Sequence, residues 1–165
     1  MLGAVSDEVS TLCRACALCC DGTLFAYVTV PAEDAKALRA RDAALEARKD
    51  GTFRLGQPCR ALEARSCTLY AVRPGPCRSY ACMLAKALEE GELSLDAALA
   101  TVDGAHQKLA ALGEALGAPA AGSPVPAVRA SRRGEGAALS EAAEQRWQDA
   151  REFLRRHFVG RHGLS

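Results

Sequence analysis

The cysteines constrain this chain more than any other feature. All eight lie between positions 13 and 82 of a chain of 165 residues. The apolar core is expected to be thin, because isoleucine is absent, aromatic residues make up 5% and alanine supplies much of the 49% hydrophobic content. A chain of this length forms one domain, or a small domain with an appendage. We therefore expect the cysteines to help hold the fold together.

Charge and hydropathy exclude several classes of protein. There are 21 basic and 20 acidic side chains, a balance that gives no general attraction to nucleic acid or to an anionic membrane. No segment approaches the ~18 apolar residues of a transmembrane helix, and Asp7 and Glu8 do not fit a secretory signal. We expect a cytoplasmic protein without nucleic-acid or membrane partners. In that reducing compartment, clustered cysteines favour metal binding or redox chemistry over stable disulfides.

The sequence divides into a cysteine-rich part and an alanine-rich part. We predict a metal-binding module over residues 1–90 and a helical extension over residues 91–165. Within the extension, residues 117–137 are rich in Gly, Ala, Ser and Pro and lack periodicity, which predicts an irregular linker. The predicted fold class is mostly α with a small β element (α+β), as a metal-stapled module followed by C-terminal helices.

Turn and capping signals predict individual elements. In chain order they are a strand over 23–30, a helix over 31–49, turns over 52–82, a helix over 82–90, a helix capped by Ser94 and a last helix capped by Ser140 and ended by Gly160. In the last helix, Trp147, Leu154 and Phe158 form an apolar stripe. We expect this stripe to dock on the module or on a protein partner.

The cysteines form two groups in the sequence. These are Cys13, Cys16, Cys19 and Cys20, and then Cys59, Cys67, Cys77 and Cys82. On a helix, the first four side chains would lie within an arc of ~120°; in a loop, the Cys-x-x-Cys spacing also lets thiolates converge. A loop is favoured in the second group, because Pro74, Gly75 and Pro76 precede Cys77.

The chemistry of the donors favours chelation. Thiolates are soft ligands that select zinc, Cu(I) or iron–sulfur centres. Two tetrahedral zinc sites would use all eight cysteines, whereas one [4Fe–4S] cluster would use four. Both zinc and an iron or iron–sulfur centre therefore stay open as the cofactor.

Several residues near the cysteines are candidates for contacts around such a centre. Arginines can donate hydrogen bonds and positive charge to thiolates, and the candidates are Arg14, Arg60, Arg73 and Arg78. Tyr70 and Tyr80 are expected to pack over the site rather than react. Among the three histidines, His106 is expected in the core or at its rim, and His157 and His162 fit a polar C-terminal position better than a ligand role.

The order of these motifs resembles the YkgJ-type cysteine-cluster family, the CxxCxxCC family of zinc- or iron-chelating domains. The matching elements are Cys13-x-x-Cys16-x-x-Cys19-Cys20, Pro58-Cys59-Arg60, Cys67-Thr-Leu-Tyr70, Arg73-Pro74 and Cys77-Arg78-x-Tyr80-x-Cys82. The resemblance covers roughly residues 13–82 and implies that all eight cysteines are metal ligands. The cysteine pattern is also similar to that of flagellin lysine N-methylases, which are associated with iron and sulfur.

Three classes of function follow from this pattern. The first is a metal-binding module for structural stabilisation, storage, delivery or sensing. The second is an iron-dependent or iron–sulfur protein-modifying enzyme related to flagellin lysine N-methylases, and the third is a thiol redox protein. The sequence has no GxGxxG, P-loop, HExxH or GxSxG motif. This favours the first class over an enzyme, and no catalytic residue is assigned.

Overall fold

The computed structural model describes residues 7–40, 43–117 and 122–160. Most of these residues are helical. In chain order the elements are α1 (Asp7–Cys16), β1 (Tyr27–Val30), α2 (Ala32–Arg39), β2 (Leu45–Ala47), β3 (Phe53–Gly56), β4 (Leu62–Glu63), β5 (Ser66–Cys67), a 3-10 turn (Tyr70–Val72), α3 (Gly75–Ser79), α4 (Met83–Glu89), α5 (Leu95–Ala115), α6 (Val125–Arg132), α7 (Glu141–Leu154) and a π-helical turn (Arg155–Val159). The predicted fold class, mostly α with a small β element, is confirmed.

The chain folds as two compact units. Within the described residues, the helical unit contains 7–16 and 81–160, and the sheet unit contains 17–80. In the second cysteine group, Cys59, Cys67 and Cys77 therefore belong to the sheet unit, while Cys82 belongs to the helical unit. The predicted division of the chain at residue 90 stays a prediction.

Local capping explains where the helices of the helical unit begin. The Ser94 and Ser140 hydroxyls accept hydrogen bonds from the backbone N–H three residues later, at 3.3 and 3.2 Å. Both predicted N-caps are thus confirmed, and each satisfies a donor that the first helical turn leaves without a partner. The predicted helix after Cys82 is also confirmed as α4, and Gly91 follows it with φ +74°.

Helix α5 is the packing centre of the helical unit, where it contacts α1, α4 and α7. Its buried face includes Val102, Leu109 and Leu112. At Gly104 a Cβ atom would lie 3.1 Å from the Phe153 ring, so glycine allows α7 to approach closely. The predicted stripe of Trp147, Leu154 and Phe158 is buried, which places this apolar face inside the helical unit.

A three-stranded antiparallel sheet of order β1-β3-β2 forms the sheet unit, together with the β4–β5 hairpin. Val30, Leu38, Leu55 and Leu69 form a buried cluster beside the sheet. Cys59 and Cys67 pack against that cluster. The cluster therefore supports two of the cysteines directly.

Three segments differ from the sequence prediction. The predicted helix over 31–49 ends at Arg39, and residues 45–47 instead pair with β3, because Leu45 packs against the buried cluster beside the sheet. The predicted strand over 23–30 is confirmed only from Tyr27, since residues 21–24 form bends held by the Asp21 carboxylate, which accepts from the Thr23 N–H at 2.8 Å. Helix α6 lies within the segment predicted to be irregular.

The formation of α6 has a local reason. Val125 and Val128, spaced for one helix face, are both fully buried. The prolines that suggested irregular structure, Pro124 and Pro126, lie at the start of the helix, where the missing N–H costs no intrahelical hydrogen bond.

Candidate metal centre

The first cysteine group spans the end of a helix and the turn that follows. Cys13 and Cys16 lie on α1, which ends where Ala17 adopts φ +60°. Cys19 and Cys20 follow in a turn closed by the Cys20 N–H, which donates to the Ala17 carbonyl at 2.8 Å. The first two cysteines of this group therefore have the helical geometry considered for it, and the last two have the loop geometry.

Four thiols of the sheet unit lie within electrostatic range of one another: Cys20, Cys59, Cys67 and Cys77. Burial raises the pKa of Cys20 to about 12, and the negative charges of the other three add to that shift. Burial likewise raises the pKa of Cys77 to about 11, with Cys59 and Cys67 contributing. We call these residues the four-thiol set.

Short backbone hydrogen bonds position three members of the set. The Cys59 N–H donates to the Cys20 carbonyl at 2.8 Å, which ties together two segments far apart in sequence. Cys67 lies on β5 opposite Leu62 of β4, in a hairpin whose turn residues Ala64 and Arg65 both have positive φ. The sequence prediction of turns in this region did not anticipate this hairpin.

A proline-flanked turn positions the fourth member, Cys77. The Cys77 N–H donates to the Pro74 carbonyl at 3.0 Å in the first turn of α3. The Gly75 N–H donates to Asp34 Oδ2 at 2.7 Å. Sequence reasoning missed Asp34 as a site residue, since its position suggested only an acid in the first turn of a helix.

Arg73 and Tyr70 form a pair beside Cys77. The Arg73 guanidinium carbon lies 3.8 Å from the Tyr70 ring centroid. Burial raises the pKa of Cys77, and the positive charge of Arg73 opposes that shift. Arg73 Nε is buried and donates to no acceptor within the described residues. Its N–H is therefore available to donate to a thiolate or a bound anion.

The other predicted contact residues are more exposed. Tyr80 is 41% exposed and packs edge-on against Phe25, with ring centroids 4.9 Å apart. Arg78, Arg60 and Arg14 are exposed. Their roles at a metal centre stay predictions.

The remaining cysteine ligands predicted from the sequence have their own environments. In the helical unit, Cys82 Sγ accepts from the Ala85 N–H at 3.4 Å and caps α4. Burial raises the pKa of Cys82, while the backbone N–H groups near it lower that value. Cys16 is buried, and Cys13 and Cys19 are half-buried.

The contacts of the two described histidines involve a backbone carbonyl and an aromatic ring. His106 Nε2 lies 2.9 Å from the Cys16 carbonyl oxygen, a contact with the backbone rather than with the thiol. His157 packs on Phe153 with ring centroids 4.5 Å apart, and burial lowers the pKa of His157. His162 lies outside the described residues.

The four-thiol set fits a metal in donor type and number, but its side chains are spread. Across residues 7–40, 43–117 and 122–160, no three Cys, His, Asp or Glu side chains already stand close enough to hold a metal ion. Since zinc–sulfur bonds are ~2.3 Å long, metal binding would draw the sulfur atoms inward.

Among the helices in the described ranges, none has the length and apolar character needed to cross a membrane.

Comparison with known proteins places the chain in a family. The model of the CxxCxxCC family, a "putative zinc- or iron-chelating domain", matches residues 12–98, just over half of the chain. The match continues beyond Cys82 through α4 into the first turn of α5. A search of curated proteins and a search of solved structures found no match. The chain therefore belongs to the CxxCxxCC family of zinc- or iron-chelating domains.

Proposed function

We propose that this chain holds zinc or an iron–sulfur centre through its cysteines, with the four-thiol set as one ligand set. The observation that carries the proposal is that separate segments of the sheet unit bring these four thiols near one another, with the Cys59 N–H bonded to the Cys20 carbonyl at 2.8 Å. Burial first, and then the nearby thiols, raise the pKa of Cys20 to about 12, so ionisation of the set is unfavourable without a bound cation.

The donor chemistry supports the same proposal. Four thiolates satisfy either a tetrahedral zinc ion or a [4Fe–4S] cluster. Arg73 contributes positive charge beside Cys77, and hydrogen bonds from such a neighbour tune bound thiolates. We also propose Cys13, Cys16, Cys19 and Cys82 as ligands, because their thiols are donors of the same type. Arg78 and Tyr80 are proposed to contact the bound centre.

Structural stabilisation is the role that the fold supports best. The hydrophobic cluster beside the sheet contains four buried aliphatic side chains, and the cysteine-bearing segments around it are short turns and two-residue strands. A small cluster of this kind gains much of its stability from bound metal. We propose that metal ligation closes these segments around the cluster, and that storage, delivery or sensing would use the same site.

Metal content and stoichiometry test the proposal. The chain is purified aerobically and anaerobically, and zinc, iron and acid-labile sulfide are measured with the visible spectrum. Cys20→Ser and Cys77→Ser should each lose one metal equivalent or one cluster. Ser79→Ala is the matched control, because Ser79 is exposed on the same short helix as Cys77. Full metal content in both cysteine variants would overturn the four-thiol set, and a metal-free wild-type chain under both preparations would overturn chelation.

A further inference from the structure

One carboxylate reaches from α2 to the turn that presents Cys77. Asp34 Oδ2 accepts a hydrogen bond from the Gly75 N–H at 2.7 Å, across 41 positions of sequence, in a partly buried setting. We propose that Asp34 is a positioning residue for the metal centre, acting through Gly75 on Cys77. This inference rests on the proposed function of the four-thiol set.

The turn needs a partner from elsewhere in the fold. The first N–H groups of a helix have no acceptor within that helix, and α3 is five residues long. The N–H groups of Cys77 and Arg78 both reach the Pro74 carbonyl, and Pro76 has no N–H to donate. The Gly75 N–H is therefore the group through which α2 can fix the direction of the turn.

Glycine at position 75 matches the closeness of this contact. A Cβ atom there would lie 3.3 Å from Asp34 Oδ2, tighter than ordinary packing. Gly75 does not have a positive φ, so its backbone conformation is open to alanine. The neighbouring carboxylate, rather than the backbone, is what an added methyl group would disturb.

Asp34 projects from a well-anchored element. Its neighbours Ala35 and Leu38 are 0% and 3% exposed, and Leu38 belongs to the buried cluster beside the sheet. Helix α2 therefore provides a fixed base from which a short side chain can hold the turn.

The test compares three substitutions on α2 by cobalt(II) spectroscopy and by competition with a chelator. Asp34→Ala should weaken metal retention ~10 to 100-fold, the usual cost of losing a group that orients a ligand. Asp34→Asn keeps an oxygen acceptor and should retain most of the affinity. Glu33→Ala is the matched control, since Glu33 is an exposed acid in the same first turn and should bind as wild type does.

A double-mutant cycle isolates the contact. Gly75→Ala should weaken binding in the wild-type background and have a much smaller effect in the Asp34→Ala background, because the methyl group then has no carboxylate to displace. Additive effects of the two substitutions, or wild-type affinity in Asp34→Ala, would overturn the inference. If Asp34→Ala does not fold, wild-type affinity in Gly75→Ala would overturn the inference instead.

The proposed function is decided by a separate arm of the same experiment. Cys77→Ser should lose the cobalt–thiolate absorption of the four-thiol set. An unchanged spectrum would show that Cys77 is not a ligand, which overturns the proposed set and the positioning of Cys77 with it. A lost spectrum in Cys77→Ser together with wild-type affinity in Asp34→Ala would overturn the role of Asp34 alone.

Discussion

His106 Nε2 lies 2.9 Å from the carbonyl oxygen of Cys16, which is 90 residues earlier in the chain. A carbonyl can only accept, so the imidazole donates through Nε2–H. Cys16 ends α1, where the last carbonyls lack intrahelical partners. One side chain in the middle of α5 thus completes the hydrogen bonding at the end of α1.

His106→Ala should lower the free energy of unfolding of the helical unit by ~1 to 3 kcal/mol, because it leaves a partly buried carbonyl without its donor. Urea unfolding followed by helical circular dichroism measures this. His106→Gln can place an amide donor near the same carbonyl and should recover part of the loss. Equal midpoints for His106→Ala and wild type would show that the hydrogen bond contributes no stability.

Removal of metal should loosen the sheet unit more than the helical unit. The hydrophobic cluster beside the sheet is small, with Val30, Leu38, Leu55 and Leu69 as its buried members, whereas structural metal can supply ~10 kcal/mol or more of apparent folding free energy. Amide hydrogen exchange read by mass spectrometry, before and after complete chelation, should show lost protection in peptides from residues 17–80. Unchanged exchange in those peptides would refute the coupling of metal and fold.

Metal uptake should release protons. Burial raises the pKa of Cys20 to about 12 and that of Cys77 to about 11, so both thiols are protonated in the metal-free chain at neutral pH. Binding must displace both protons, and metal affinity should therefore fall as the pH is lowered from 8 to 6. Proton release in weak buffer, followed with an indicator dye, should reach at least two per metal ion.

The proton yield has its own control. Cys20→Ser removes one of the two strongly raised thiols and should lower the yield per metal ion bound. A pH-independent affinity would contradict the ligand assignment of Cys20 and Cys77.

Arg73→Ala should weaken metal retention ~10 to 100-fold, because Cys77 loses the positive charge that opposes its raised pKa. Lys should rescue the loss only in part, since it keeps the charge but loses the planar set of donors. Chelator competition and the spectrum of the bound metal measure this. Unaltered metal affinity combined with loss of binding of a small anion would assign Arg73 to an anion pocket instead.

The elements that were predicted correctly depend on nearby residues. Ser94 and Ser140 cap helices with their own hydroxyls, and α4 follows directly from its flanking residues. By contrast, Pro31, the acids of the first turn and Gly51 predict one helix over 31–49, which includes residues 45–47. Pairing with Phe53–Leu55 and packing beside the sheet decide their structure instead, as tertiary context commonly overrides helix propensity.

The candidate site was predictable in its residue types but not in its grouping. Sequence spacing associates Cys20 with Cys13, Cys16 and Cys19, whereas the structure brings it near Cys59, Cys67 and Cys77. That grouping depends on contacts between distant segments, such as the bond from the Cys59 N–H to the Cys20 carbonyl. The contact of Asp34 with the Cys77 turn could not be predicted for the same reason, because its partner Gly75 lies 41 positions away.

The spread of the four-thiol set along the chain has a consequence for biosynthesis. Cys77 is added to the growing chain about sixty residues after Cys20, which takes several seconds at ~5 to 20 residues per second. Throughout that interval the nascent protein lacks the last member of the four-thiol set. Metallation of this set would therefore follow the emergence of α3 from the ribosome, and the earlier thiols would depend on the reducing capacity of their surroundings until then.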